Sequence, residues 1–307
     1  MPHIEQNTTI NTVTERNTVE FVEVRGHRIA FQRYNQDATG VPLIFLHGLS
    51  VSLRFWEAGM LDYVWQHHPW ISVSLPLHYP STAPPDFRSA DFTTDLLYQG
   101  LAGVLDEVYP DRPVVLIGHS LGAAAALNYA IRAPQRVRGV VSIGGFARGR
   151  AKGLEAVLQQ LTKGTFVRKS VFHAGWKLMC SHPIFLKMVI STYAYRKRAL
   201  FRYPPLEPTI QAIYPDIRRH LVRHVRYVFH FLLRFDLMAE LHRITAPVLT
   251  FAGRRDGIIP FSHMQAYSNK IPNGQLIAME RVGHLPFAED PALFERELIR
   301  FLQAMQE

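Results

Sequence analysis

Gly118-His119-Ser120-Leu121-Gly122 sets a serine between two glycines, a spacing that fits a hydroxyl used as a nucleophile. A serine hydroxyl attacks poorly at neutral pH. It needs an imidazole to take its proton, and the imidazole needs a carboxylate to fix its tautomer, so Ser120 acting on a carbonyl requires both partners. The elements that would present Ser120 are legible on either side of it. Val114-Val115-Leu116-Ile117 is a run suited to a strand buried on both faces, and Ala123-Ala124-Ala125-Ala126-Leu127 has high helix propensity. The pentapeptide therefore falls where the chain reverses between strand and helix. Such a turn strains the dihedrals of the serine and leaves no room for side chains at 118 and 122.

With this strand, elbow and helix the chain resembles the α/β-hydrolase superfamily, and within it serine esterase- and lipase-like members with a helical cap. The resemblance implies an oxyanion loop upstream, then an acid and a histidine downstream, in the order Ser, Asp, His. Val41 to Leu49 is an apolar segment running into His47-Gly48, similar to the third strand of the family, and it implies that the backbone N–H of Leu49 faces a developing oxyanion. The N–H of Leu121 is implied as the second donor. Gly253-Arg254-Arg255-Asp256-Gly257 resembles the acid-bearing loop, and Gly283-His284-Leu285-Pro286-Phe287 resembles the histidine loop. The implied roles are Ser120 as nucleophile, His284 as base and then acid, and Asp256 as the group that orients His284. His47, Phe55, Trp56, Phe146 and Phe287 border these loops and are expected to line an acyl pocket, with structural hydrogen bonding the other task of His47 and core packing that of the four aromatic residues, while His119 is expected to pack behind the elbow. One departure is Pro76-Leu77-His78-Tyr79-Pro80-Ser81, where relatives often carry Asp and several glycines.

The expected fold is α/β, with a mainly parallel eight-stranded sheet flanked by helices and a helical cap inserted after strand 6. Alternation in 19–24 and 27–34 around Arg25-Gly26 predicts an antiparallel hairpin, and Asp91 to Tyr109 has helical spacing. Residues 1–18 are expected to form a loose leader, 19–145 and 241–307 the core, and 146–240 the cap. Prolines at 183, 204, 205, 208 and 215 are expected to interrupt the cap helices.

The net charge of +9 is concentrated in the cap, where Phe146 to Glu240 holds seventeen Lys and Arg against five Asp and Glu. That placement argues against a nucleic-acid partner and leaves peripheral contact with an anionic membrane surface as one use of the cap. From Arg219 to Asp236, helical spacing puts Arg219, Arg223, Arg226, His230 and Arg234 on one side, with Leu221, Val225, Val228, Phe229, Leu232 and Leu233 expected to face the pocket. A single cysteine, Cys180, and no apolar stretch of membrane-spanning length point to a cytoplasmic protein. Neither G-x-G-x-x-G after a first strand nor G-K-S/T is present, so no cofactor is implied, and no histidines pair as a metal site. Ser at position 120 argues against the dehalogenases and epoxide hydrolases of this fold, which use Asp there. The reading is a carboxylic ester hydrolase acting on a small-molecule acyl substrate with an apolar acyl part. A thioesterase, a lactonase, a C–C hydrolase and a non-catalytic binding protein of the same fold are the alternatives.

Overall fold

The hairpin around Arg25-Gly26 is present in the computed structural model, which describes residues 18–306. Strands β1 (Glu20–Val24) and β2 (His27–Tyr34) pair antiparallel, and Arg25 and Gly26 take positive φ of 49° and 77°, as a tight two-residue turn requires. The expected leader lies outside the described residues except for Thr18. Six further strands follow: β3 (Leu43–Leu46), β4 (Trp70–Val73), β5 (Val114–His119), β6 (Val137–Ile143), β7 (Val248–Gly253) and β8 (Gly274–Met279). They form one eight-stranded sheet in the order β1-β2-β4-β3-β5-β6-β7-β8. The pairings of β1 with β2 and β2 with β4 are antiparallel, and all the others are parallel.

Strands β3, β4, β5 and β7 are buried at every position, which is why they read as mostly apolar runs and not as strictly alternating ones. Short helix α1 (Asp62–His67) precedes β4, and α2 (Thr94–Val108) and α3 (Leu121–Arg132) flank β5 in sequence. One core layer packs α2 and α3 on the sheet through residues such as Leu101, Val104, Leu116 and Leu127.

Between β6 and β7 the chain passes through six helices: α4 (Gly153–Leu161), α5 (Phe166–Met179), α6 (Pro183–Tyr193), α7 (Lys197–Arg202), α8 (Leu206–Ile217) and α9 (Val222–Leu232). Its two ends are tied by a bridge between Arg148 and Asp236, whose side chains also pair at 2.8 Å. This cap has its own core, including Phe172, Trp176, Leu186, Ile210 and Phe229. Its helices are interrupted at Pro183 and at Pro204-Pro205, but Pro208 and Pro215 do not break α8. Pro183 is the first residue of α6, where its missing N–H costs nothing, Pro204-Pro205 separates α7 from α8, and Pro208 sits in the first turn of α8; only Pro215 lies inside a helix.

The helix expected over Arg219 to Asp236 is α9, which is shorter, and its apolar face does not point into a pocket. Val228 and Leu232 pack into the main core, while Val225 and Phe229 pack into the cap core. After β7 come α10 (Phe261–Ser268), α11 (Pro286–Glu289) and α12 (Pro291–Ala304). The second face of the sheet is covered by α12 and α1 through Phe294, Leu298, Leu302 and Val64.

Candidate active site

Strand β5 ends at His119 and α3 begins at Leu121, leaving Ser120 alone at the turn with φ 52° and ψ −112°. A non-glycine residue held there costs about 1–3 kcal/mol, so its surroundings must hold it in place. The Ser120 N–H donates to the Ile143 carbonyl at 2.9 Å, and the Ser120 carbonyl accepts from the Ala124 N–H at 3.1 Å. A Cβ at Gly118 would stand 2.3 Å from the carbonyl carbon of Gly122, and a Cβ at Gly122 would stand 2.2 Å from the Leu46 oxygen. Both contacts are with backbone, so glycine is required at each position.

Leu121 is the first residue of α3, and its N–H, like that of Leu49, donates to no acceptor among the described residues. The first turn of α3 carries no acidic side chain, so its positive end remains available to an anion. The loop carrying Leu49 is held by three buried histidines. His47 accepts from the Leu75 N–H at 3.1 Å through Nε2 and donates to the Gly48 carbonyl at 2.7 Å through Nδ1. His78 accepts from the Ser50 N–H at 3.2 Å. His220, between α8 and α9, lies 3.1 Å from the Val51 carbonyl and 2.9 Å from that of Asp216. Burial holds His47 near pKa 3 and His220 near 4, so both rings are neutral and each has one proton to donate. His47 was expected in the pocket and is not there: it is fully buried, with its ring turned back toward the β4 loop.

The side chains of Asp256 and His284 are 0% and 3% exposed, and His284 Nδ1 donates to Asp256 Oδ2 at 2.7 Å. The other oxygen, Asp256 Oδ1, accepts from the N–H groups of Ile258 and Ile259 at 2.8 and 2.9 Å. Burial alone would lower the pKa of His284, but the charge and hydrogen bond of Asp256, with Glu155 and Glu289, outweigh it and raise the value above 6.5. The histidine loop is fixed by its backbone. The His284 N–H donates to the Tyr193 carbonyl at 2.9 Å, and its carbonyl accepts from His119 Nε2 at 3.0 Å.

Two carboxylates here were not expected from the sequence. Glu289 is buried and accepts from the N–H groups of Gly283, Leu285 and Arg196, joining the histidine loop to the cap. Glu155, on α4, accepts from Tyr193 Oη at 3.1 Å and lines the same cavity as Ser120 and His284. Burial pushes the Glu155 pKa up, with the His284 charge opposing that shift. A signal for Glu155 was present, since it is the only acidic residue among ten Lys and Arg in 151–202.

Ser120 and His284 open onto a cavity of about 110 Å³ between the core and the cap. Phe55, Trp56 and Phe287 line it, together with Leu298 on α12 and Ile190 and Leu200 from the cap. Phe146 does not: it is buried in the main core, edge-on to Phe235 at 5.7 Å. His119 lines the cavity and does not lie behind the elbow, stacking on Phe55 at 5.7 Å. Among the described residues, no cluster of three or more His, Cys, Asp or Glu is arranged to hold a metal ion, and no helix is long and apolar enough to cross a membrane.

Comparison with known proteins bears on the family. RutD of Pseudomonas savastanoi pv. phaseolicola, assigned as a carbamate hydrolase, is 26% identical over 277 residues, covering 88% of this chain and 96% of that protein. The 2-hydroxy-6-oxononadienedioate/2-hydroxy-6-oxononatrienedioate hydrolase of Cupriavidus pinatubonensis is 25% identical over 305 residues, covering 95% and 98%. A thermophilic esterase from Thermogutta terrifontis has the same fold, with a TM-score of 0.72 at 20% identity, covering 94% of this chain and 100% of that one. The sequence pattern of the alpha/beta hydrolase family matches residues 43–297, which span the elbow, the cap and both downstream loops, and the chain belongs to that family.

Proposed function

We propose that this protein hydrolyses carboxylic esters through an acyl-enzyme formed on Ser120, with the acyl part of the substrate held in the apolar cavity. The observation that carries this reading is the water-excluded Asp256–His284 pair, sharing a cavity with a serine held at strained dihedrals. In the first half-reaction Ser120 Oγ attacks the carbonyl carbon and His284 Nε2 takes the hydroxyl proton, while Nδ1–H stays on Asp256 Oδ2. The carbonyl oxygen becomes an oxyanion facing the N–H groups of Leu49 and Leu121, two donors that cost no reorganisation when the charge appears. Collapse breaks the ester C–O bond, and His284 returns the proton to the departing alcohol. Water then repeats the sequence on the acyl-enzyme, releasing the acid and restoring Ser120.

The cavity volume limits the acyl part. An apolar cavity of about 150 Å³ admits benzene, so the smaller one here suits a short acyl chain unless α6 and α7 give way. A fluorophosphonate probe and a panel of p-nitrophenyl esters of increasing length, alongside a thioester, a lactone, a carbamate and a vinylogous diketone, test the reading. Labelling at Ser120, with turnover highest on short esters, is expected. Absence of labelling would favour a binding protein, and turnover confined to the carbamate or the diketone would overturn the ester assignment.

A further inference from the structure

The exposed apolar surface of this protein is concentrated in one place. Among the described residues thirteen large apolar side chains are exposed, and all but Phe21 lie between Leu154 and Leu221. On α5, Val167, Val171, Ala174 and Leu178 recur at i, i+4, i+7 and i+11, within about 60° of one another on a helix, and all four are exposed. The opposite side of the same helix buries Phe172 and Trp176 in the cap core. Helix α5 therefore has two apolar faces, and only one is covered. Neighbouring helices continue the uncovered face, with Leu154 and Val157 on α4 and Ile184, Phe185 and Met188 on α6. Phe166, 83% exposed, stands at the start of α5. Scattered apolar residues are ordinary on a protein surface, but adjacent strips on three packed helices are not.

The charge on this region is of one sign. Residues 151–202 hold ten Lys and Arg and a single acid, Glu155, which lines the cavity. Arg168 and Lys177 flank the apolar strip of α5 on its two sides, and neither forms an ion pair among the described residues. A second copy of this chain meeting the same face would set like charge against like.

We propose that the outer face of α4, α5 and α6 docks on an anionic lipid bilayer. The apolar strips enter the boundary between headgroups and acyl chains while the flanking cations meet lipid phosphates. This differs from the arginine stripe read from the sequence, because Arg219 is engaged with Tyr79 Oη at 2.8 Å and Arg226 is half-buried against Tyr227. Helix α6 connects the two environments. Its inner side contributes Ile190 and Tyr193 to the cavity, and its outer side carries Ile184 and Met188, so one helix separates the catalytic cavity from the bilayer. A substrate that partitions into lipid would reach Ser120 by displacement of α6 together with the adjoining α7.

The inference is independent of the bond cleaved, and vesicle flotation tests it. The full chain is mixed with phosphatidylcholine vesicles, with or without phosphatidylglycerol, at low and high salt. One variant combines Val167→Ser, Val171→Ser and Leu178→Ser, and a second combines Arg168→Glu and Lys177→Glu; none of these residues lines the cavity. Wild type should float with anionic vesicles and lose binding at high salt, and each variant should bind at least tenfold more weakly. An unchanged circular-dichroism spectrum and an unchanged Tm would show that both variants are folded. Wild type left in the pellet with anionic vesicles, or variants that bind as wild type does, would overturn the proposal. So would a wild-type dimer that the serine variant makes monomeric without any vesicle binding.

Discussion

Asp256→Asn tests the catalytic reading most sharply, because the structure dictates how the amide must sit. Oδ1 of Asp256 receives two N–H groups, from Ile258 and Ile259, so the asparagine oxygen must take that place. Turned the other way, the NH₂ would face two donors in a site closed to water. The NH₂ is therefore directed at His284 Nδ1, which must become an acceptor, and the single ring proton of a neutral imidazole moves to Nε2. That nitrogen is the one required to take the proton of Ser120. Loss of the working tautomer in such a triad lowers kcat by about 10⁴, equivalent to about 5.5 kcal/mol at 1.36 kcal/mol per tenfold. The substitution also removes the main group that opposes burial at His284, so the histidine pKa falls. The expected result is a pH profile of kcat/KM with a far lower plateau and an acid limb displaced to lower pH. A variant within tenfold of wild-type kcat, or one whose acid limb does not move, would refute the reasoning.

Ser120→Ala and His284→Ala are each expected to lower kcat by about three orders of magnitude or more while leaving the thermal unfolding transition in place, as measured by steady-state kinetics and circular dichroism. Wild-type kcat/KM should rise with pH through an apparent value above the ordinary histidine pKa of 6.5, since His284 must be neutral to act as base and its folded value is raised. Glu155→Gln should move that limb down, because the Glu155 carboxylate is one of the charges holding the value up; an unmoved limb would remove Glu155 from that role. Gly122→Ala drives a Cβ to 2.2 Å from the Leu46 oxygen and should cost about 3 kcal/mol, lowering Tm by about 5 °C in a chain of this length. Gly257→Ala, whose Cβ meets nothing within 4 Å, should leave Tm unchanged.

Much of this architecture was legible because its marks are local. The hairpin at Arg25-Gly26, the buried run of β5 and the glycines at 118 and 122 each follow from a few adjacent residues, and the structure has them where the spacing puts them. Side-chain direction in the loops was not legible. His47 and Phe146 both lie next to motif residues in sequence, yet one ring turns toward Leu75 and the other toward Phe235, because packing at those turns decides where they point. Tyr193, His220 and the Arg196 contact of Glu289 act only when the cap meets the core, and no local pattern encodes them. The apolar side of α9 was misplaced for a related reason, although Arg219, Arg223 and Arg234 are exposed as the spacing implied. Periodicity separates an apolar face from a charged one but does not say which neighbour covers the apolar face.

The cap touches the loops of Leu49, His284 and Glu289 through hydrogen bonds to backbone and carboxylate groups as well as around the cavity. His220 meets the Val51 carbonyl, the Tyr193 carbonyl takes the His284 N–H, and the Arg196 N–H meets Glu289. Exchange of the insertion between relatives is thus expected to depend on where its chain runs past these loops as well as on its two ends. Two of these contacts use cap backbone, so a transplanted cap keeps them only if its chain passes the loops of His284 and Glu289 in the same place, and the third needs a ring at position 220. Divergence within such a lineage is then expected to proceed by substitution along the inner walls of the cap helices, with the residues that join cap to loop inherited together.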